Sequence, residues 1–269
     1  MVLALPRSAR FRKIFSFLSG LLCLGDPNIG IRLRSLHVRK ALRHLSWSSV
    51  VDAGCSTSGQ VSWGGGIALN PFLLAKFNPS RLVTGGDIDH GAIARNRNLL
   101  SRHRIANLRF SVLDLVNPGG LPVHDAVVLS DVVANREGDV ELVLGASKLT
   151  RPGGHVIVHT ISRQQPAVLT NPSNPRLTGY TIAELEQTLA AAGGSNIHIK
   201  HTFGLFGELA WRIHHRFIPM GYPFAVVTFP TCFLIGLWDL LIPNRTGRGL
   251  LAVCHIGSHA GACGCSRLR

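Results

Sequence analysis

The chain is short of acid. Its 269 residues hold 14 Asp and Glu against 28 Lys and Arg, a formal net charge of +14. The imbalance is steepest at the start, where residues 1–50 carry nine Lys or Arg and one acid, Asp26. A basic end suits an anionic surface, either nucleic acid or lipid headgroups, or it marks a generally basic protein with no such partner. The aromatic and basic interleaving that suits single-stranded nucleic acid is missing, so no nucleic-acid partner is expected. Six Cys in a chain this long make no disulfide framework. Cys55 lies in a small-residue turn and Cys254 in an apolar run, so both are expected reduced, as in the cytoplasm.

Other absences narrow the function. There is no G-x-G-x-x-G and no Tyr-x-x-x-Lys pair, which leaves a nicotinamide-dependent oxidoreductase as a minor alternative. Cys254, His255, His259, Cys263 and Cys265 follow no standard zinc spacing, and no metal is expected. No internal repeat is found. Arg7, Arg10, Arg12 and Lys13 precede an apolar run at 14–25, but no small-x-small cleavage site follows. An interfacial amphipathic helix fits that pattern better than a signal peptide. Residues 217–242 contain one charge, Asp239, and are long enough to span a bilayer. Pro219, Pro223 and Pro230 are expected to break the run, and Asp239 would be costly in lipid. A buried helix pair or contact with a membrane surface fits better than a span.

What is present begins at 50–59, Val-Val-Asp-Ala-Gly-Cys-Ser-Thr-Ser-Gly, an apolar strand running into a turn of small residues. Such a turn lets a ligand approach the backbone and a helix N-terminus. Residues 83–89, Val-Thr-Gly-Gly-Asp-Ile-Asp, read as a second strand ending on an acid that can accept both hydroxyls of a ribose. The alternative role for Asp87 is a helix N-cap.

Strand and helix patterns alternate along the chain. Helix is expected at 34–46, from about 71 to 77, and at 90–104, 137–149 and 182–192. Strands are expected at 50–53, 81–86, 108–113, 126–130, 155–160, 196–202 and 249–256. Residues 63–66, Trp-Gly-Gly-Gly, suit a loop. Arg151-Pro152-Gly153-Gly154 reads as a helix stop and turn, and Thr181 with Glu184 as a capping box. The fold class is therefore α/β: a Rossmann-like, seven-stranded, mainly parallel sheet with helices on both faces and a helical, apolar cap insertion before the last strand.

The order of motifs resembles the class I S-adenosylmethionine-dependent methyltransferases of the small-molecule branch. Val51-Asp52-Ala53-Gly54-Cys55 resembles the family's first motif and Thr84–Asp89 its second. Phe110–Leu115 resembles the third, and His124–Val133 the fourth. Leu149–Gly154 resembles the "LkPGG" turn, and Gly179–Leu185 the "GYT-x-x-EL" element. The likeness covers roughly 34–203. It departs where Ser56 and Ser58 replace later glycines and Gly59 comes one residue late.

The resemblance implies S-adenosylmethionine as cofactor, held by Asp52, Gly54, Cys55, Ser56, Gly59, Asp87, Ile88, Asp114, Leu115 and Ser130. Asp87 would take the ribose and Asp114, with the Leu115 backbone, the adenine amino group. Ser130 and Asp131 would line the substrate side. It implies methyl transfer to a small acceptor, with the acceptor atom open. Asp131, His159 and His214 are candidate bases for an acceptor that needs one; His201 and His215 are weaker. His214 and His215 also read as plain surface histidines. The expected organisation is a basic and apolar segment at 1–33, a methyltransferase domain at 34–256 with the insertion at 205–248, and a flexible tail at 257–269. The insertion would cover a lipophilic acceptor near a membrane surface. The contrasting reading is a non-catalytic, membrane-associated protein on an eroded methyltransferase fold.

Overall fold

A computed structural model describes residues 28–56, 68–103, 105–134, 137–163 and 179–257. Gly59, the Trp63–Gly66 stretch, the 14–25 run, and His259, Cys263 and Cys265 lie outside the described residues. The elements run α1 (Ile29–Arg43), β1 (Ser49–Ala53), α2 (Leu69–Phe77), β2 (Leu82–Asp87), α3 (His90–His103), β3 (Leu108–Val112) and β4 (His124–Ser130). They continue with α4 (Asp139–Lys148), β5 (Thr150–Ile161), α5 (Ile182–Ala191), β6 (Gly194–Thr202), α6 (Leu205–Phe217), α7 (Tyr222–Leu241) and β7 (Gly249–Ile256).

The strands form one seven-stranded sheet in the order β3-β2-β1-β4-β5-β7-β6, with β7 antiparallel to both neighbours. Successive residues feed opposite faces, because side chains alternate along a strand. Val50, Ala126, Val128 and Ile157 pack with Val38, Leu42, Leu74 and Ile93 of α1, α2 and α3. Val51, Val127, Leu129, Val156 and Val158 pack with Val143, Ala146, Leu185 and Leu189 of α4 and α5. That double burial explains the near-continuous apolar strand sequences. Chain order reverses between β1 and β4, so a crevice opens beyond their C-terminal ends.

Several boundaries differ from the sequence reading. Helix α1 starts at Ile29 because the Asn28 side chain accepts from the N–H groups of Gly30 and Ile31. Residues 151–154 are not a free turn. They form the irregular start of β5, with Gly153 at φ +83° and a register shift opposite His124 and Ala126. Of the three prolines of 217–242, Pro219 lies in the 3-10 turn Ile218–Met220 that separates α6 from α7, whereas Pro223 and Pro230 break nothing. Pro223 lies in the first turn of α7, where no N–H is needed, and Pro230 lies inside the helix. The break falls at Gly221, whose φ of +112° suits glycine. The Thr181–Glu184 capping box is present, Glu184 N–H donating to the Thr181 hydroxyl at 3.2 Å and Thr181 N–H to the Glu184 carboxylate at 2.9 Å.

Helices α6 and α7 form an apolar hairpin before β7. It packs on α1: Ile29 and Leu33 join Phe203, Ala210, Phe229 and Cys232 in a separate core. Asp239 of α7 is not a charge for lipid to carry. Its carboxylate accepts from Phe203 N–H at 2.9 Å and Gly207 N–H at 3.2 Å, and contacts His37 Nε2 at 2.8 Å.

Candidate functional site

The turn after β1 is tied to the end of β2. Gly54 N–H and Cys55 N–H both donate to the Gly86 carbonyl, at 2.8 and 3.0 Å. Ser56 N–H donates to Asp87 Oδ2 at 2.9 Å, and Asp89 N–H to Asp87 Oδ1 at 3.0 Å. Each Asp87 oxygen thus spends one lone pair on backbone and keeps acceptor capacity. The N-cap of α3 is Asp89, which accepts from Ala92 N–H at 3.0 Å. The N-cap role considered for Asp87 therefore falls to its neighbour.

Gly54 has φ +72°, and a Cβ there would lie 2.4 Å from Val132 Cγ2. The turn accepts no side chain at this point. Cys55 turns its thiol into the core, close to Gly85, and burial pushes that thiol upward, helped by Asp52 and Asp87. Ile88 is exposed. Asp114 follows β3 and accepts from Val116 N–H at 2.9 Å. The Leu115 carbonyl lies against Gly145 of α4, where only glycine leaves it room. The Ser56 hydroxyl is buried with no hydrogen-bond partner among the described residues.

Asp52 is buried at the end of β1, and its Oδ1 has no hydrogen-bond partner among the described residues. Burial pushes its carboxyl up to about 7; Asp87 adds to this, while the Asn70 side chain and Arg34 work against it. Asn70 is held from α1 by an acceptor contact with the Ser35 hydroxyl at 2.8 Å.

Asp131 follows Ser130 at the end of β4 with φ +57°, an uncommon conformation for a residue with a side chain. Its N–H donates to the His159 carbonyl at 2.8 Å, and its carboxylate forms an ion pair with Arg34 of α1. Burial works to raise its pKa, and Arg34 and His159 more than offset that, so the carboxyl lies below its usual range. His159 faces Asp131 through Nδ1 at 3.6 Å, too long for a hydrogen bond, and pairs its Nε2 with the Thr202 hydroxyl at 3.0 Å. Burial depresses its pKa to about 4 despite Asp131.

The sheet thus brings Asp52, Asp87, Asp131 and His159 to one edge. His214 goes elsewhere. It is fully buried between α6 and α7, with Nδ1 3.1 Å from the Thr228 hydroxyl. The surface reading of that histidine does not hold, because the hairpin closes over it. His215 stacks on Trp211 at 3.9 Å, and burial depresses it to about 4. The sequence reading missed Arg34 and Asn70. Both are polar residues on helix faces turned toward the strand ends, and nothing local marks them.

No family model and no curated protein matches the chain. Solved structures do. Phosphoethanolamine N-methyltransferase 2 of Haemonchus contortus, in complex with phosphomonomethylethanolamine and S-adenosylhomocysteine, superposes with a TM-score of 0.59 at 14% identity. The match covers 91% of this chain and 57% of that one, so the chain spans little more than half of that protein. The cyclase SpnF matches with a TM-score of 0.54 at 14% identity over 84% of this chain and 80% of its own. The plantazolicin methyltransferase BamL, in complex with a desmethylPZN analogue and S-adenosylhomocysteine, matches at 0.50 and 14% over 93% and 91%. The fold is that of the class I S-adenosylmethionine-dependent methyltransferases. Within this methyltransferase fold, Asp52 of β1 and Asp131 after β4 lie where chain order reverses, with Asp87 at the end of β2 and His159 of β5 on either side. A cyclase among the similar structures shows that the fold alone does not fix the reaction.

Proposed function

We propose that the chain binds S-adenosylmethionine and transfers its methyl group to a small acceptor. One observation carries the reading: the side-chain-free turn at Gly54 is hydrogen-bonded through Ser56 to a buried carboxylate, Asp87, that keeps spare acceptor capacity. The residues fit the cofactor. Asp87 would hold the ribose hydroxyls, and the Gly54 turn would admit the methionine portion. The Asp52 oxygen that has no partner among the described residues would accept from the ammonium of that portion, a second cation beside the distant Arg34. Asp114 and the Leu115 backbone would meet the adenine, and Ser130 and Asp131 would line the acceptor side.

The bound cofactor supplies an electrophilic methyl group on a sulfonium. The chain's own part is alignment and exclusion of water. Asp131 is held below its usual range and His159 at about 4, so neither is poised as a base near neutral pH. That favours an acceptor that is already electron-rich. The apolar hairpin behind α1 supports a lipophilic one.

Titration calorimetry with S-adenosylhomocysteine tests this. The wild-type chain binds, and Asp87→Ala loses at least about tenfold in affinity, the loss expected when hydrogen bonds to a charged group go. Thermal melts confirm that the variant folds. No binding of either S-adenosylmethionine or its product by the folded wild-type chain overturns the proposal. A module that holds the cofactor without transfer is the second reading, favoured by the Arg34–Asp131 pair at the acceptor side. Methylation of any acceptor in a radiolabel screen rejects it.

A further inference from the structure

One helix among the described residues, Pro223–Leu241, is long and apolar enough to cross a membrane. Its inner face is committed to protein. Gly236 packs against Leu33, and Asp239 is bonded to His37, Phe203 and Gly207. Pulling the helix into a bilayer would strip Asp239 of all three partners.

Its outer face is bare. Val227, Leu234, Trp238 and Leu241 recur at helical spacing and, with Leu205 of α6, are each 55% to 76% exposed. Leu209 and Ile213 extend the apolar strip along α6, and the Phe206 ring lies 6.4 Å from Trp238. Clustered exposure of this kind marks an interaction surface.

The end of that face is basic. A cavity of about 250 Å³ opens beside Leu241 and Ile242, lined also by Lys40, Lys200 and His201. Asp239 also lines this cavity, but its carboxylate is engaged as described. Neither lysine has a carboxylate within ion-pair distance among the described residues. Lys40 donates to the Leu240 carbonyl, which fixes it at the helix end. Burial and the nearby Lys40 lower the pKa of the Lys200 ammonium, a strain that a bound anion would relieve. Arg245 follows on the exposed loop. The chain enters the described fold beside this hairpin, Gly30 packing near Trp211, and the preceding sequence carries Arg7, Arg10, Arg12 and Lys13 before its apolar run.

We propose that the α6–α7 hairpin is a docking surface for an anionic phospholipid bilayer: its apolar face lies in the interface and the Lys40–Lys200–His201 cavity takes a lipid phosphate. An apolar face together with cationic side chains provides the two signals that stable interfacial binding needs. Trp238 suits the headgroup level, since its ring is apolar with one polar edge. The proposal stands apart from cofactor binding and is read without it.

The test is flotation of the full chain with two kinds of vesicle, phosphatidylcholine alone and phosphatidylcholine mixed with phosphatidylglycerol. The wild-type chain floats with the mixed vesicles and binds the neutral ones about tenfold more weakly. The pair Leu234→Ser with Leu241→Ser, at exposed positions, abolishes flotation without moving the melting temperature; Val227→Ser weakens it in a second background. The pair Lys40→Gln with Lys200→Gln removes the preference for the anionic vesicles. Absence of flotation overturns the proposal, as does wild-type flotation by the leucine pair. An unchanged anionic preference in the lysine pair overturns the phosphate cavity. A wild-type dimer in sedimentation that the leucine pair dissociates, with no vesicle binding, assigns the face to a second copy instead.

Discussion

Asp52 and Asp131 end adjacent strands of the same sheet, yet their surroundings are opposite. Asp52 is enclosed, has one oxygen with no hydrogen-bond partner among the described residues and is pushed up to about 7. Asp131 has 33% of its side chain open to solvent, is paired with Arg34 and lies below its usual range. One half of the crevice is thus an unfinished site that a cation would complete. The other half is finished by the protein itself. Under the proposed function the contrast would separate binding from chemistry, the β1–β2 side taking the cofactor and the β4–β5 side being held in place by the protein.

The sharpest way to break the first half is Gly54→Ala. The new Cβ would sit 2.4 Å from Val132 in a backbone at φ +72°. Left-handed strain and overpacking together cost about 2–5 kcal/mol. A lower melting temperature with loss of S-adenosylhomocysteine binding is expected. Val132→Ala, combined with it, recovers part of the stability by making room, which distinguishes the contact from the backbone strain.

The second test reads the two halves by pH. For Asp52 the folded pKa, at about 7, lies above the ordinary carboxylate value of 3.8. Its contribution to stability is therefore fully present below about 4 and is lost as pH rises through 7. The loss is at most about 4 kcal/mol by the full difference in pKa. Asp52→Asn should stabilise the cofactor-free chain at pH 8 and leave it unchanged near pH 4. His159 runs the other way. Its folded pKa of about 4 lies below the ordinary 6.5, so the unfolded chain takes up a proton first and stability falls as pH drops from 6.5 toward 4. Equilibrium urea melts across that range measure both. An Asp52→Asn profile parallel to wild type would show that the carboxyl is not buried as described.

The elements that were legible in the sequence are those whose signals are local. The strands at 50–53 and 126–130 are apolar runs buried on both faces, and period and composition suffice to find them. Thr181 and Glu184 are three residues apart and form the expected cap. The position of Asp87 at a strand end was legible because an acid closing a glycine-rich strand is itself a pattern. The misses are non-local. Asp239 read as a cost in lipid, which its burial bears out, but its partner His37, 202 residues away, was not legible. Arg34 read as one more charge on a basic helix, because nothing near it in sequence announces Asp131. Pro219 read as a breaker and does lie in the turn between α6 and α7, but Pro223 occupies a helix position where its missing N–H costs nothing.

Arg34→Gln sharpens the comparison with the smallest change. It removes the cation from the finished half while keeping a side chain of similar length. The pair is partly exposed, so the cost in stability is about 1 kcal/mol or less. Without Arg34, burial is opposed only by His159, and the Asp131 carboxyl rises. His159 also rises, since Arg34 is one of the charges that depress it. If the two halves are separable, S-adenosylhomocysteine affinity changes by less than about threefold, because Arg34 is the smallest of the influences on Asp52. Methyl transfer, once an acceptor is found, then falls through the rate at saturating acceptor or through acceptor KM, with the pH profile displaced upward. Equal losses in cofactor affinity and transfer would instead mean that α1 clamps both carboxylates as one unit, and that the division between the half that binds and the half that positions is not real.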